Sequence, residues 1–251
     1  MKSLSVKKIV TGLAAASLLS LTILPAALAE EVAPEAEAAV GLYSKYVWRG
    51  FELSEDSLVI QPSVTVAYKG FGINLWGNLD TNQSGMESQA FNWNETDLTL
   101  SYDGAVGMVG YSLGYIYYNL DDLEDTQEVY AGLSLDVLLA PTLTVYKDIA
   151  NLPGWYGTFG IGHSLAINDK LALDLGARVG YLDNDADYHE FHDGLLSASL
   201  SYAVNDRITV GPELYYSFPL TDKASDLIES LSFDGDDSSF LYGGLSASFA
   251  F

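Results

Sequence analysis

The stretch Ile208-Thr209-Val210-Gly211-Pro212-Glu213-Leu214-Tyr215-Tyr216-Ser217-Phe218 decides the fold. Successive side chains of an extended chain point to opposite faces. Ile208, Val210, Pro212, Leu214, Tyr216 and Phe218 therefore share one face, and Thr209, Gly211, Glu213, Tyr215 and Ser217 share the other. The second face is too small and too polar to form a dry core. A soluble β-sandwich or a lipocalin-like barrel would turn the apolar face inward. Here the polarity reads the other way round, which suits a strand with lipid outside and water inside.

The same alternation recurs along the chain. Leu171, Leu173, Leu175, Ala177, Val179 and Tyr181 interleave with Ala172, Asp174, Gly176, Arg178 and Gly180, and Leu241 to Phe251 repeats the pattern. Twelve segments qualify: 40–51, 57–69, 71–80, 94–103, 106–119, 127–138, 142–149, 155–167, 171–182, 194–204, 207–218 and 240–251. Short connections carry turn residues at Lys69-Gly70, Asp103-Gly104-Ala105, Leu139-Ala140-Pro141, Asn168-Asp169-Lys170 and Asn205-Asp206. Long polar ones fall at 52–56, 81–93, 120–126, 150–154, 183–193 and 219–239. Short and long connections in alternation over an even number of strands predict an all-β fold, a closed antiparallel transmembrane up-and-down β-barrel of about 12 strands. Only a closed sheet satisfies every backbone group in lipid without leaving an edge.

Composition agrees. Acids outnumber bases 34 to 11 in 251 residues, a net charge of −23, which excludes nucleic acid as a partner. Zero Cys excludes a disulfide scaffold and a thiolate site. The 17 Tyr, 10 Phe and 4 Trp argue against wholesale disorder. Lys2, Lys7 and Lys8, the apolar run 9–24, Pro25 and Ala27-Leu28-Ala29 read as a cleaved signal peptide over 1–29. Residues 30–39 read as an acidic flexible N-terminal tail and 40–251 as the barrel. The expected location is the outer membrane of a Gram-negative bacterium, with outer-membrane lipid as the surrounding partner. Tyr46, Trp48, Tyr68, Phe71, Tyr102, Tyr115, Tyr117, Tyr181, Tyr202, Tyr216 and Phe218 are candidates for the aromatic girdles at the headgroups. A final strand ending in Phe251 resembles the signal read by the barrel-assembly machinery.

Tyr46-Val47-Trp48-Arg49-Gly50-Phe51-Glu52-Leu53-Ser54 resembles the Y-V-x-R-G-x-x-x-S opening of the TorF family of outer-membrane porins, a β-barrel family. Segments 140–148 and 160–165 also look familial. The resemblance covers chiefly the first hairpin. It implies a porin or transporter and brings no catalytic residue with it.

Strand parity points ten charged side chains inward as pore-lining candidates: Lys45, Arg49, Lys69, Glu95, Asp97, Glu128, Asp136, Asp174, Arg178 and Glu213. They would either select solutes by sign or plug the lumen with ion pairs. Small inward residues (Gly110, Ser112, Gly114, Gly160, Gly162, Ser197, Ser199, Ser201) favour open space. The acidic loops read as solvated, with divalent-cation binding as the alternative. His189-Glu190-Phe191-His192 is one residue short of the H-E-x-x-H zinc spacing. No metal, cofactor or catalytic residue is assigned. The function expected is a passive channel for small hydrophilic solutes, leaning to cations and not an enzyme. A barrel hydrolase using His and Asp of 183–193, or a plugged adhesion barrel, are the alternatives. The solute and the oligomeric state are left open.

Overall fold

The computed structural model describes residues 33–83, 90–121, 123–184 and 187–251. The expected signal peptide and residues 30–32 of the expected tail lie outside them. The strands are β1 Glu35–Tyr43, β2 Val47–Trp48, β3 Phe51–Glu52, β4 Val59–Tyr68, β5 Phe71–Asp80, β6 Asn92–Val106, β7 Val109–Leu120, β8 Thr126–Leu135, β9 Thr142–Asp148, β10 Gly154–Asn168, β11 Leu171–Asp183, β12 His189–Ala203, β13 Ile208–Pro219 and β14 Phe240–Ala250. One helix, α1 Asp222–Leu231, precedes β14.

Twelve strands form a closed antiparallel barrel in the order β1-β14-β13-β12-β11-β10-β9-β8-β7-β6-β5-β4. β1 closes it, pairing with β4 on one side (Ala38↔Val64) and with β14 on the other (Ala38↔Phe249). Ala36 and Phe251 exchange backbone hydrogen bonds at the seam. β2 and β3 form a separate two-stranded sheet.

Polarity runs as the alternation requires. Outward Ile73, Leu214 and Leu245 are 54 %, 53 % and 59 % exposed, while Tyr215 and Ser217 between the outward residues of β13 are buried. So continuous an apolar belt would not survive in water.

Four boundaries differ from the sequence reading. Residues 35–39 belong to β1 rather than to a flexible tail. Their Glu–Ala alternation is weakly strand-forming on its own, and pairing on both sides decides it. The first segment does not run through 40–51: the chain leaves the wall after Tyr43 and makes the β2–β3 hairpin, so Tyr46 and Trp48 are not girdle aromatics. The turn expected at Asp103-Gly104-Ala105 lies instead at 107–108, and Asp103 pairs with Ser112 inside the sheet. Gly104 is there for space: a Cβ would come within 2.3 Å of the Tyr111 hydroxyl, whose ring lies across it. Finally, β12 begins at His189, so most of the expected 183–193 loop is strand.

The expected loop 219–239 contains α1. Thr221 caps it, accepting from Ala224 N at 3.2 Å. Ala224 and Ile228, one turn apart, are its buried residues. Leu214→Arg on the lipid-facing side should cost about 2–4 kcal/mol of barrel stability. Urea unfolding from detergent micelles, read by the gel shift between folded and boiled forms, measures it.

Candidate functional site

Val47-Trp48 and Phe51-Glu52 pair across a two-residue turn, with Trp48 opposite Phe51. Arg49 (φ 50°) and Gly50 (φ 86°) both take the left-handed conformation that such a turn demands. Leu53 N donates to Tyr46 O at 2.8 Å and Tyr46 N donates to Ser54 Oγ at 2.7 Å, closing a compact lobe. Tyr46 and Val47 are buried, so the lobe sits inside the barrel near the long-loop rim.

At its tip Arg49 crosses to β8. Nη1 and Nη2 donate to Glu128 Oε1 and Oε2 at 2.7 Å each. The Tyr118 hydroxyl donates to Glu128 Oε2 at 2.9 Å. The guanidinium also lies 4.2 Å from the Trp48 ring centre, 4.3 Å from Tyr156 and 4.9 Å from Tyr146. Four barrel strands separate β1 from β8, so the pair bridges the lumen. Tyr46 stacks near Trp76 at 5.7 Å and hydrogen-bonds Glu95, which is also bonded to Asp97. Lys45 pairs with Glu52 and, at 2.9 Å, with Asp56. Burial would lower the Lys45 ammonium, but those two carboxylates outweigh it and raise its pKa.

A second ion pair sits beside the first. Opposite Gly180, where the β11–β12 register shifts between Val179 and Tyr181, β12 sets two residues, His192 and Asp193, against one, a bulge of one extra residue. Such a bulge re-aims side chains, and both are fully buried. Asp193 accepts from Arg178 Nη2 and from the Tyr156 hydroxyl, both at 2.7 Å. Tyr188 bonds His192 Nδ1 at 2.6 Å. Burial first, then Glu190 and Asp193, push the Tyr188 hydroxyl up to about 12. The His192 ring stacks on Phe51 at 4.8 Å. Helix α1 closes over the hairpin: a Cβ added to Gly50 would lie 3.0 Å from Asp193 Cβ and 3.2 Å from Ile228 Cδ1.

Of the ten charged residues, Glu95, Asp97, Glu128, Asp174, Arg178 and Glu213 occupy inward positions of the wall. Lys45 and Arg49 lie on the inserted segment. Lys69 and Asp136 do not face the lumen. Lys69 (φ 51°) is an exposed turn residue lying over the Tyr68 ring at 5.0 Å. β8 stops at Leu135, so Asp136 is an exposed turn residue held by its N–H to Met108 O at 2.8 Å. Glu213 accepts from Tyr43 at 2.8 Å, Tyr215 at 2.5 Å and Ser246 at 2.5 Å. Asp174 accepts from Ser201 at 2.7 Å.

His189 and His192 fall on opposite sides of β12 and form no shared site. Among the described residues the one grouping with metal-ligand spacing is Asp234, Asp236 and Asp237, all exposed. The sequence reading missed Tyr118 and Tyr156, and it placed His192 and Asp193 in an external loop where the structure has a buried strand bulge. It also ran a strand through Arg49-Gly50, although an x-Gly pair between apolar Val47 and Phe51 signals a hairpin.

These features define a porin-type β-barrel, with one connection folded into its mouth. The chain is similar to the NanC porin, with a TM-score of 0.55 at 13% identity over 85% of this chain and 98% of that one. It is more distantly similar to OmpT of Vibrio cholerae (TM-score 0.42, 9% identity, 87% of this chain and 97% of that one). For an anion-selective porin from Comamonas acidovorans the values are 0.36 and 10%, over 87% and 99%. Residues 29–192 match the family described as "Bacterial protein of unknown function (Gcw_chp)", and the chain belongs to that family. No curated protein matches the sequence.

Removing one member of the bridging pair should cost more than removing both. Arg49→Ala or Glu128→Ala strands a buried charge and should destabilise the barrel by roughly 3–5 kcal/mol, while Arg49→Met with Glu128→Leu should cost far less. A double-mutant cycle of unfolding in detergent checks this.

Proposed function

We propose that the chain is an outer-membrane, porin-like passive channel for small hydrophilic solutes, with a preference for cations. The observation that carries the reading is the charge left over inside. Each lumenal base is already matched: Lys45 by Glu52 and Asp56, Arg49 by Glu128, Arg178 by Asp193. Lys69, which would have offset the acids, lies in a turn. Asp174, Glu213 and the hydrogen-bonded Glu95–Asp97 pair, whose two carboxyls hold a proton between them, then have no basic partner among the described ion pairs, and their field raises the local cation concentration.

The half of the lumen nearer the short turns supports a wet pathway. Its inward positions include Ser101, Thr144, Gly160, Ser197 and Ser201, side chains that are small and mostly offer hydroxyls. A signal peptide over 1–29, a lipid surround and assembly through the Phe251 strand belong to the same proposal. So does kinship with the TorF porins. The residues carrying that resemblance build the lobe in the mouth: Tyr46 and Ser54 tie its ends, Arg49 and Gly50 make its turn.

The lobe itself favours a second reading, a sealed barrel displaying acidic loops. A hydrolase gains nothing from the geometry, since His192 is enclosed by Phe51 and Tyr188. Planar-bilayer recordings in a salt gradient discriminate. The channel reading predicts a reversal potential of the cation-selective sign, moved toward anions by Asp174→Lys. A confirmed inserted barrel that never conducts contradicts it.

A further inference from the structure

We propose that the β2–β3 hairpin is a displaceable plug, that Arg49–Glu128 is the latch holding it shut, and that the conducting state is the one in which the hairpin has withdrawn. This rests on the channel reading above and adds its regulation.

Three observations carry it. First, the wall is complete without the hairpin. The twelve barrel strands pair only with one another, and β2 and β3 pair only with each other. Withdrawal therefore breaks no barrel ladder, and no backbone group is stranded in lipid. Second, the lobe is tied to itself. The Tyr46–Leu53 and Tyr46–Ser54 bonds close it across its base, so it can move as one body on the segments either side. A two-stranded hairpin has little stability of its own, so its position is set by its contacts with the wall and α1.

Third, the grip at the tip is polar and concentrated, while the lobe's flank places Tyr46, Val47, Trp48 and Phe51 in one apolar cluster with Leu195, Ile228 and Phe240, contacts that withdrawal must also break. Arg49 meets Glu128 through two parallel hydrogen bonds, backed by Tyr118 and by three aromatic faces. Gly50 wedges between Asp193 and Ile228 of α1. Both sides of the latch are hydrophilic enough to remain soluble in a water-filled lumen once parted. A passive channel whose mouth is filled must also have a second arrangement in which it is not.

The test uses the full chain in planar bilayers, with the heat-dependent gel shift certifying that each variant is a folded barrel. The chain has no cysteine, so an introduced pair reports cleanly. The proposal predicts that wild type dwells mainly closed with brief openings. Arg49→Ala should raise open probability roughly ten-fold or more, and Arg49→Lys should fall between the two. Replacing 46–54 by a short Gly-Ser link should leave the pore open throughout. Gly50→Cys with Asp193→Cys, whose β-carbons would start 3.0 Å apart and need to part by about half an ångström to reach disulfide geometry, should seal the pore when oxidised and release it on reduction. Asp193→Cys alone controls for the lost Arg178 partner.

If the link variant conducts but wild type and Arg49→Ala conduct equally well, the latch is wrong while the channel stands. If the link variant is folded and silent, the channel reading fails and the plug with it. Should Arg49→Ala not assemble, the lysine variant and the disulfide pair decide alone: an oxidised pair that conducts like the reduced one overturns the proposal.

Discussion

A backbone crossing lipid has no solvent to bond to, and that constraint shapes this molecule. Each strand must find partners on both sides, and the last must find the first. β1 does so by pairing with β4 and β14 together, which is why the unpromising Glu-Ala run at 35–39 is ordered. Once the cylinder is closed, strand alternation leaves no choice about the side chains. Leu214 looks out and Tyr215 looks in because they are neighbours.

Closure leaves a second problem, which is what fills the inside. Near the short turns the wall carries serines, threonines and glycines. Near the long loops it carries tyrosines, with Tyr43, Tyr118, Tyr130, Tyr156, Tyr215 and Tyr242 all buried. The hydroxyls of Tyr43, Tyr118, Tyr156 and Tyr215 serve carboxylates, as Tyr118 serves Glu128 and Tyr156 serves Asp193. Into that tyrosine-lined half the chain inserts its own hairpin. Every base on the inner side is then spoken for, and the surplus charge is acidic. A narrow, negatively charged path with a movable obstruction is the arrangement we propose from these contacts.

The outside of the barrel was legible in the sequence, because lipid imposes one period on every strand and rejects exceptions. The inside was legible by parity but not by partner. Arg49 and Glu128 are 79 residues apart, and nothing local in either announces the other. Asp193 was hidden by a bulge, which adds residues without changing composition. Gly104 looked like a turn because glycine usually marks one, whereas here it makes room for the Tyr111 ring. Gly114 does the same beneath Tyr130, where a Cβ would meet the ring at 2.3 Å. The unusual pairing of 23 Gly with 17 Tyr is partly this mortise-and-ring packing. α1 was missed because Lys223, Asp226 and Glu229 make it read as polar loop, with only Ala224 and Ile228 facing inward.

The central claim is orientation: apolar faces toward lipid, polar faces toward an interior that holds the hairpin. Nitroxide labels on single cysteines placed one at a time along 209–217, in a barrel reconstituted into bilayers, test it most directly. The account predicts accessibility with a period of two, positions 210, 214 and 216 relaxed by oxygen dissolved in the lipid and the intervening ones not. Labels at 210, 214 and 216 that are shielded from oxygen, or a run with no alternation, would contradict it.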